Sequence, residues 1–134
     1  MSASTSKVLI TGITGQDGAL LAAHLLESGA NVIGTHRPGR TPDPWRLREL
    51  GIDTHARLQL ENLDPTDAAA CAECVRANAP DALFHLAGQS RVADSFRDPH
   101  ASMAANGMSR LNLLEAMRLH SPHTHLVLAS SAEI

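Results

Sequence analysis

The chain has no tyrosine, one tryptophan and two phenylalanines, so aromatic residues make up 2% of it. Lys7 is its single lysine. A reaction that pairs a phenol with an ammonium group therefore finds neither partner combination within these residues. Long hydrophobic runs are missing too, since no stretch approaches the roughly 20 apolar residues of a membrane span. The first residues, MSASTSK, lack the apolar core of a secretory signal. These two absences set the expectation of a soluble, cytoplasmic chain. Net charge is only -3, which leaves no basic footprint for nucleic acid or a membrane surface.

Cysteine is scarce: Cys71 and Cys74 form one CxxC. Such a pair can be a redox couple or half a zinc site. No second CxxC exists, and the pair falls in an alanine-rich helical stretch, so two ordinary helical cysteines are expected. His120, His123 and His125 surround Ser121-Pro122 and read as a polar helix-to-strand connection, with no metal expected.

What is present is the alternation of short apolar runs with longer amphipathic stretches. In 134 residues, 43% of them apolar, there is length for one domain burying roughly two-thirds of its unfolded surface. Strands are predicted at 7–11, 31–36, 56–61, 82–88 and 124–130. Helices are predicted at 17–29, with Gly29 as the C-terminal stop, and at 45–50. A helix opened by Asp64-Pro65-Thr66-Asp67 runs to Asn78, and a long one covers 99–119. Leu20, Leu21, Leu25 and Leu26 mark the apolar spacing of the first helix; Met103, Leu111, Leu114 and Met117 are expected on one face of the last. Alternating strand and helix means right-handed crossovers and a parallel sheet. The fold class is α/β, a doubly wound Rossmann-like sheet of five strands in the order 3-2-1-4-5, as one incomplete dinucleotide-binding domain over 1–134.

The first strand runs into TGITGQDG, placing Gly12, Gly15 and Gly18 between a strand and a helix. Gly12 permits the tight turn, Gly15 lets backbone approach a pyrophosphate, and Gly18 lets the helix pack close to the sheet. The helix N-terminus adds unpaired N–H groups and partial positive charge. Thr14, Gln16 and Asp17 complete this cofactor turn. At the end of the second strand, where an NAD site places a carboxylate, the chain reads Thr35-His36-Arg37. A guanidinium there suits a 2′-phosphate, so the expected cofactor is NADP, with Arg40 either assisting or solvated. Asp64 is placed either to accept from the adenine amino group or to cap a helix.

TGITGQDG resembles the opening of GDP-mannose 4,6-dehydratases, a branch of the extended short-chain dehydrogenase/reductase family. LDPTD occupies the place of that family's GDLTD-like segment, with Pro65 a departure. HLAGQSRVADSF, NGMSRLNLLEAMR and ASSAEI are similar to its fourth-strand, long-helix and fifth-strand segments, although Ser109 stands where threonine is usual. The resemblance implies a nucleotide-sugar lyase, with GDP-mannose as substrate, that oxidises the hexose at C4, eliminates water across C5 and C6, and returns the hydride to C6. It implies that Ser131 polarises the C4 oxygen and Glu133 handles the elimination proton. By position, Leu86, Ala87, Gln89 and Pro65 join the cofactor site, Ser90, Arg91 and Ser95 line the sugar-nucleotide pocket, and Asn106 ties the long helix to the fourth strand. The loop RPGRTPDPWR reaches a neighbouring subunit in such enzymes, which implies a homo-oligomer.

PDALFHLAGQ and FRDP also resemble the reductases that convert the dehydratase product to a 6-deoxysugar; GQDG and Glu133 favour the dehydratase. Both enzymes use a tyrosine and lysine on the helix after the fifth strand, and this chain has no tyrosine. The resemblance thus implies an N-terminal portion of an enzyme, inactive alone, lacking the substrate domain. The other class of reading is a stand-alone NADP-binding module without catalysis.

Overall fold

The computed structural model describes residues 5–39, 43–87 and 96–129. In chain order its elements are β1 (Lys7–Thr11), α1 (Gln16–Glu27), β2 (Asn31–His36), α2 (Trp45–Glu49), β3 (Leu58–Asn62), α3 (Ala68–Asn78) and β4 (Ala82–His85). A long helix follows in three parts, α4 (Pro99–Met103), a π-helical turn (Ala104–Met108) and α5 (Ser109–His120), before β5 (His125–Leu128). The strands are all parallel and lie in the order β3-β2-β1-β4-β5, the order that the sequence pattern predicts. A central parallel strand has helices over both faces. This is why β1 reads as a continuous apolar run, and Val8, Leu9, Ile10 and Thr11 are all buried.

Alternate residues serve opposite faces of the sheet. Val8, Ile10 and Val32 pack with Ala19, Ala22 and Leu26 of α1 and with Leu47 of α2. Leu9, Ile33 and Leu83 pack with Cys71 and Val75 of α3 and with Leu113 and Ala116 of α5. Each large aliphatic side chain so buried stabilises the fold by roughly 1.5–3 kcal/mol. Gly29 does stop α1: its φ is +96°, its N–H donates to Leu26 O, and that of Ala30 donates to Leu25 O. Those two bonds satisfy carbonyls that the helix end would otherwise leave unpaired.

Three expectations need correcting. Asp67 caps α3, its side chain accepting from Ala70 N at 3.1 Å, so the helix opens at Ala68 and Asp64 is no helix cap. On α1 the sheet-facing positions are Gly18, Ala19, Ala22 and Leu26, while Leu20 is 52% exposed; small residues let this helix lie close to the strands. On the long helix, Ser109, Leu113, Ala116 and Met117 are buried, but Met103, Leu111 and Leu114 are exposed. The π turn changes the helical phase between Met103 and α5, and α5 packs Leu113, Ala116 and Met117 against Cys71, Cys74 and Val75 of α3. The remaining elements agree with the expected ones to within about two residues, the fourth strand ending earlier at His85.

Candidate functional site

At the carboxyl ends of β1 and β2 the chain makes a turn that only glycine can build. Gly12 has φ of +73°, and a Cβ on it would stand 2.8 Å from Ala87 N. A Cβ on Gly18 would run into Gly12 O and lie 2.9 Å from Ile13 Cα. Gly15 differs, since its added Cβ would meet nothing nearer than Gly12 O at 3.4 Å. The N–H groups of Gly12 and Ile13 donate to Thr35 O at 3.2 and 3.3 Å, which fastens the turn to β2. Arg46 reaches over from α2: its Nη1 donates to Thr14 O at 3.1 Å, and its guanidinium lies 4.5 Å from the centre of the Trp45 ring.

Beside this turn opens a cleft of roughly 640 Å³. Gly12, Thr14, Gly15, Gln16, Asp17 and Gly18 form one wall, and Arg37, Pro65, Leu86 and Ala87 contribute to the others. Thr35, Leu63 and Ala129 also line it and were not singled out by sequence. Thr35 and Leu63 follow from the register, as the last buried residue of β2 and the first residue after β3. The N-cap of α1 is Gly15, with no side chain capping the first turn. The unpaired N–H groups and positive end of a 12-residue helix thus face a cleft able to take an anion.

Asp64 itself is not part of the wall. Its Oδ1 accepts from Thr66 N at 3.0 Å and from Thr66 Oγ1 at 2.7 Å. These bonds, chiefly, hold its carboxyl below the usual range, with Arg37 adding a smaller attraction. The neighbouring Pro65 carbonyl accepts from Asn112 Nδ2 at 3.0 Å and from the Cys71 thiol at 3.4 Å. The segment after β3 is thereby pinned by both α3 and α5. Burial pushes the Cys71 thiol up to about 12 and the Cys74 thiol up to about 11, so both stay protonated, unlike reactive or ligating thiolates. Among the described residues no three His, Cys, Asp or Glu side chains come together as a metal set. No helix among them is long and apolar enough to cross a membrane.

A buried polar group lies behind the cleft. Thr11 Oγ1 is 2.7 Å from His85 Nδ1, and His85 Nε2 is 3.2 Å from Ser109 Oγ. Thr11 Oγ1 also accepts from Leu86 N and Ala87 N, each at 3.1 Å. Burial pushes His85 down to about 4, with the positive charge of Arg110 adding to the effect. Asn106, expected to tie the long helix to β4, lies in the π turn, and Ser109 at the start of α5 also contacts β4 through His85. Gln89, Ser90, Arg91, Ser95, Ser131, Glu133 and Arg40 lie outside the described residues.

The family model for GDP-mannose 4,6 dehydratase matches residues 9–134. The chain belongs to the GDP-mannose 4,6 dehydratase family. It is 37% identical over 133 residues to the GDP-mannose 4,6-dehydratase of Yersinia enterocolitica, and 38% identical over 117 residues to GDP-mannose 4,6 dehydratase 2 of Arabidopsis thaliana. Those alignments take in 96% and 84% of this chain but 36% and 31% of the relatives, so the chain spans about a third of their length. Among solved structures it is similar to a UDP-glucose-4-epimerase from Stenotrophomonas maltophila with bound NAD, at a TM-score of 0.81 and 26% identity, covering 95% of this chain and 37% of that one. It is also similar to the Thermus thermophilus UDP-glucose 4-epimerase in complex with NAD, at 0.77 and 29%, covering 93% and 37%. Membership in the dehydratase family and the likeness to nucleotide-sugar epimerases agree with the parallel sheet and its glycine turn.

Proposed function

We propose that this chain is the cofactor-holding part of an NADP-dependent nucleotide-sugar 4,6-dehydratase acting on GDP-mannose. The observation that carries the cofactor reading is the cradle itself. Gly12 and Gly18 admit no Cβ, and behind them stands a helix N-terminus without a side-chain cap. Such a cradle suits a pyrophosphate, with the backbone of Gly12, Gly15 and the first turn of α1 holding it. Arg37, the first residue past β2 and on the wall of the cleft, supports a 2′-phosphate in the place where a carboxylate would accept a ribose hydroxyl. Leu63, Pro65 and Leu86 offer apolar surface to a base.

When bound, the cofactor supplies reversible hydride transfer. The protein's part is to orient it and to move protons. On the family resemblance, Ser131 donates to the C4 oxygen of the sugar and Glu133 takes and returns the elimination proton, while Gln89, Ser90, Arg91 and Ser95 contact ribose and substrate. A phenol for the C4 proton is not among these residues, as the chain has no tyrosine. The reading therefore gives this chain cofactor binding without turnover by itself, a cytoplasmic location, and a place in a homo-oligomer.

Calorimetric titration with NADP and with NAD tests the cofactor half. NADP should bind more tightly, and Arg37→Ala should erase the preference by about tenfold to a hundredfold, the worth of a charge-assisted bond or two. An unchanged preference in the variant would remove Arg37 from the site. Production of a 4-keto sugar by this chain alone would overturn the division of labour.

A further inference from the structure

A buried histidine at the end of an apolar strand is an expensive choice, and His85, the last residue of β4, is 3% exposed. Its ring touches polar atoms from two other elements, Thr11 at the end of β1 and Ser109 at the start of α5. The directions of these bonds can be worked out. Thr11 Oγ1 already accepts the N–H of Ala87 and, shared with the Thr11 carbonyl, that of Leu86. A hydroxyl oxygen has two lone pairs and one proton, so its own proton must go to His85 Nδ1. Nδ1 is then an acceptor, the proton of the neutral ring sits on Nε2, and Nε2–H donates to Ser109 Oγ. A charged ring, or a neutral ring protonated on Nδ1, would set two donors against each other at Thr11.

We propose that His85, held as the Nε2–H tautomer, is a positioning residue for the cofactor cleft. Its ring fixes the Thr11 hydroxyl so that the oxygen faces the Leu86 and Ala87 amides, and those amides carry the chain out of β4 along the cleft. The placement matters because Leu86 and Ala87 form one wall and Gly12 the adjacent one. The two backbones are so close that a Cβ on Gly12 would stand 2.8 Å from Ala87 N and 3.0 Å from Leu86 C. Thr11 immediately precedes Gly12, so one side chain sets the spacing of both walls. A valine of the same shape in place of Thr11 would leave the part-buried Ala87 N–H without that acceptor, while the Leu86 N–H would keep only its 3.3 Å bond to the Thr11 carbonyl. Thr11, His85 and Ser109 are not among the residues that line the cleft, so the network reaches into the protein behind it. Burial and Arg110 keep the ring neutral down to about pH 4, so the arrangement holds across the physiological range.

The functional part of this inference rests on the cleft being a dinucleotide site, so its test has one arm that needs no ligand. In the protein labelled with ¹⁵N-histidine, long-range proton–nitrogen spectra should show His85 Nδ1 unprotonated and Nε2 protonated, without titration between pH 8 and pH 5. A proton on Nδ1, or titration near the ordinary histidine value, would overturn the assignment. Hydrogen exchange supplies the second readout: the Ala87 amide should lose protection in Thr11→Val and keep it in Thr11→Ser, with Leu86, which also bonds the Thr11 carbonyl, changing less. With NADP as the probe, Thr11→Val should bind about tenfold more weakly, the scale of a lost hydrogen bond, and Thr11→Ser close to the wild type. If Thr11→Val does not fold, the spectra of wild type and Thr11→Ser still decide the bond directions. Wild-type affinity in a folded Thr11→Val whose Ala87 amide has lost protection would sink the positioning role alone. Absence of NADP and NAD binding in the wild type would sink the cofactor reading and the role with it, whatever the tautomer.

Discussion

The two faces of the sheet hold the same cleft by opposite means. On the face covered by α1 and α2, Val8, Ile10 and Val32 point into an apolar cluster, and the site end is closed by absence of side chains: Gly12, Gly18 and Gly34 leave room for backbone and for Ile13. On the face covered by α3 and α5, the rows of Leu9, Ile33 and Leu83 end in Thr11, Thr35 and His85, all buried. There the spacing is set by hydrogen bonds. Steric closeness is insensitive to pH and intolerant of one methyl; a polar network tolerates shape changes and depends on where its protons are. A cleft with glycine backbone on one wall and the Leu86-Ala87 segment on the next uses both.

The sharpest way to break the steric face is Gly18→Ala. Alanine suits a helix better than glycine does, so propensity alone would favour the change. The added Cβ would collide with Gly12 O and lie 2.9 Å from Ile13 Cα, both backbone, so α1 must lift from the turn. A loss of about 3 kcal/mol or more is expected from chemical denaturation, together with loss of NADP binding. A stable Gly18→Ala protein that binds normally would mean the turn is looser than this packing describes.

Acid probes the polar face. His85 has a folded value of about 4 against an ordinary 6.5. Between those values the unfolded chain takes up a proton that the folded chain refuses, so stability is complete above about pH 6.5 and drains as pH falls toward 4. The loss should reach up to about 3 kcal/mol, seen as falling urea midpoints at pH 7, 5.5 and 4. His85→Asn, less stable at neutral pH, should have the flatter profile over this window. An equal slope in wild type and variant would place the acid sensitivity elsewhere. Asp64, whose value is depressed by Thr66, loses its contribution only below the ordinary carboxylate range, beneath this window.

These contrasts explain which parts could be read from sequence. The strands and their order were legible because parallel strands buried on both faces leave unbroken apolar runs, and the glycine turn was legible because its backbone packing requires glycine at fixed places within eight positions. The long helix misled twice: the π turn at Ala104–Met108 puts Met103 out of phase with α5, and within α5 the buried face runs through Leu113, Ala116 and Met117 rather than through Leu111 and Leu114. The cap expected at Asp64 falls instead to Asp67, whose side chain accepts from Ala70 N, a distinction the run of Asp64 to Asp67 does not carry in its sequence. Thr11 and His85 lie 74 positions apart, and nothing local links them. The one signal was the histidine in ALFHLAG, a polar ring in an apolar strand, which calls for a partner without naming it. Asn112 was hidden similarly, its carbonyl partner at Pro65 being 47 positions away.

Gly15→Ala should have the smallest effect on the fold and separates packing from ligand within the steric face. Gly15 has φ of -75°, a conformation open to any residue, and its added Cβ would be in ordinary contact with Gly12 O at 3.4 Å. The cost in stability should stay below about 1 kcal/mol, mainly from alanine being a poorer N-cap than glycine. Yet Gly15 lines the cleft at the head of α1, where a methyl occupies space an anion would need. NADP affinity should therefore fall about tenfold or more while the urea midpoint barely moves. The same three-glycine turn would then contain two kinds of glycine, one kept for the chain and one for its ligand. If instead Gly15→Ala binds as well as the wild type, the pyrophosphate does not approach Gly15, and the anion must sit nearer the Gly12 and Ala87 backbones, on the wall that His85 supports.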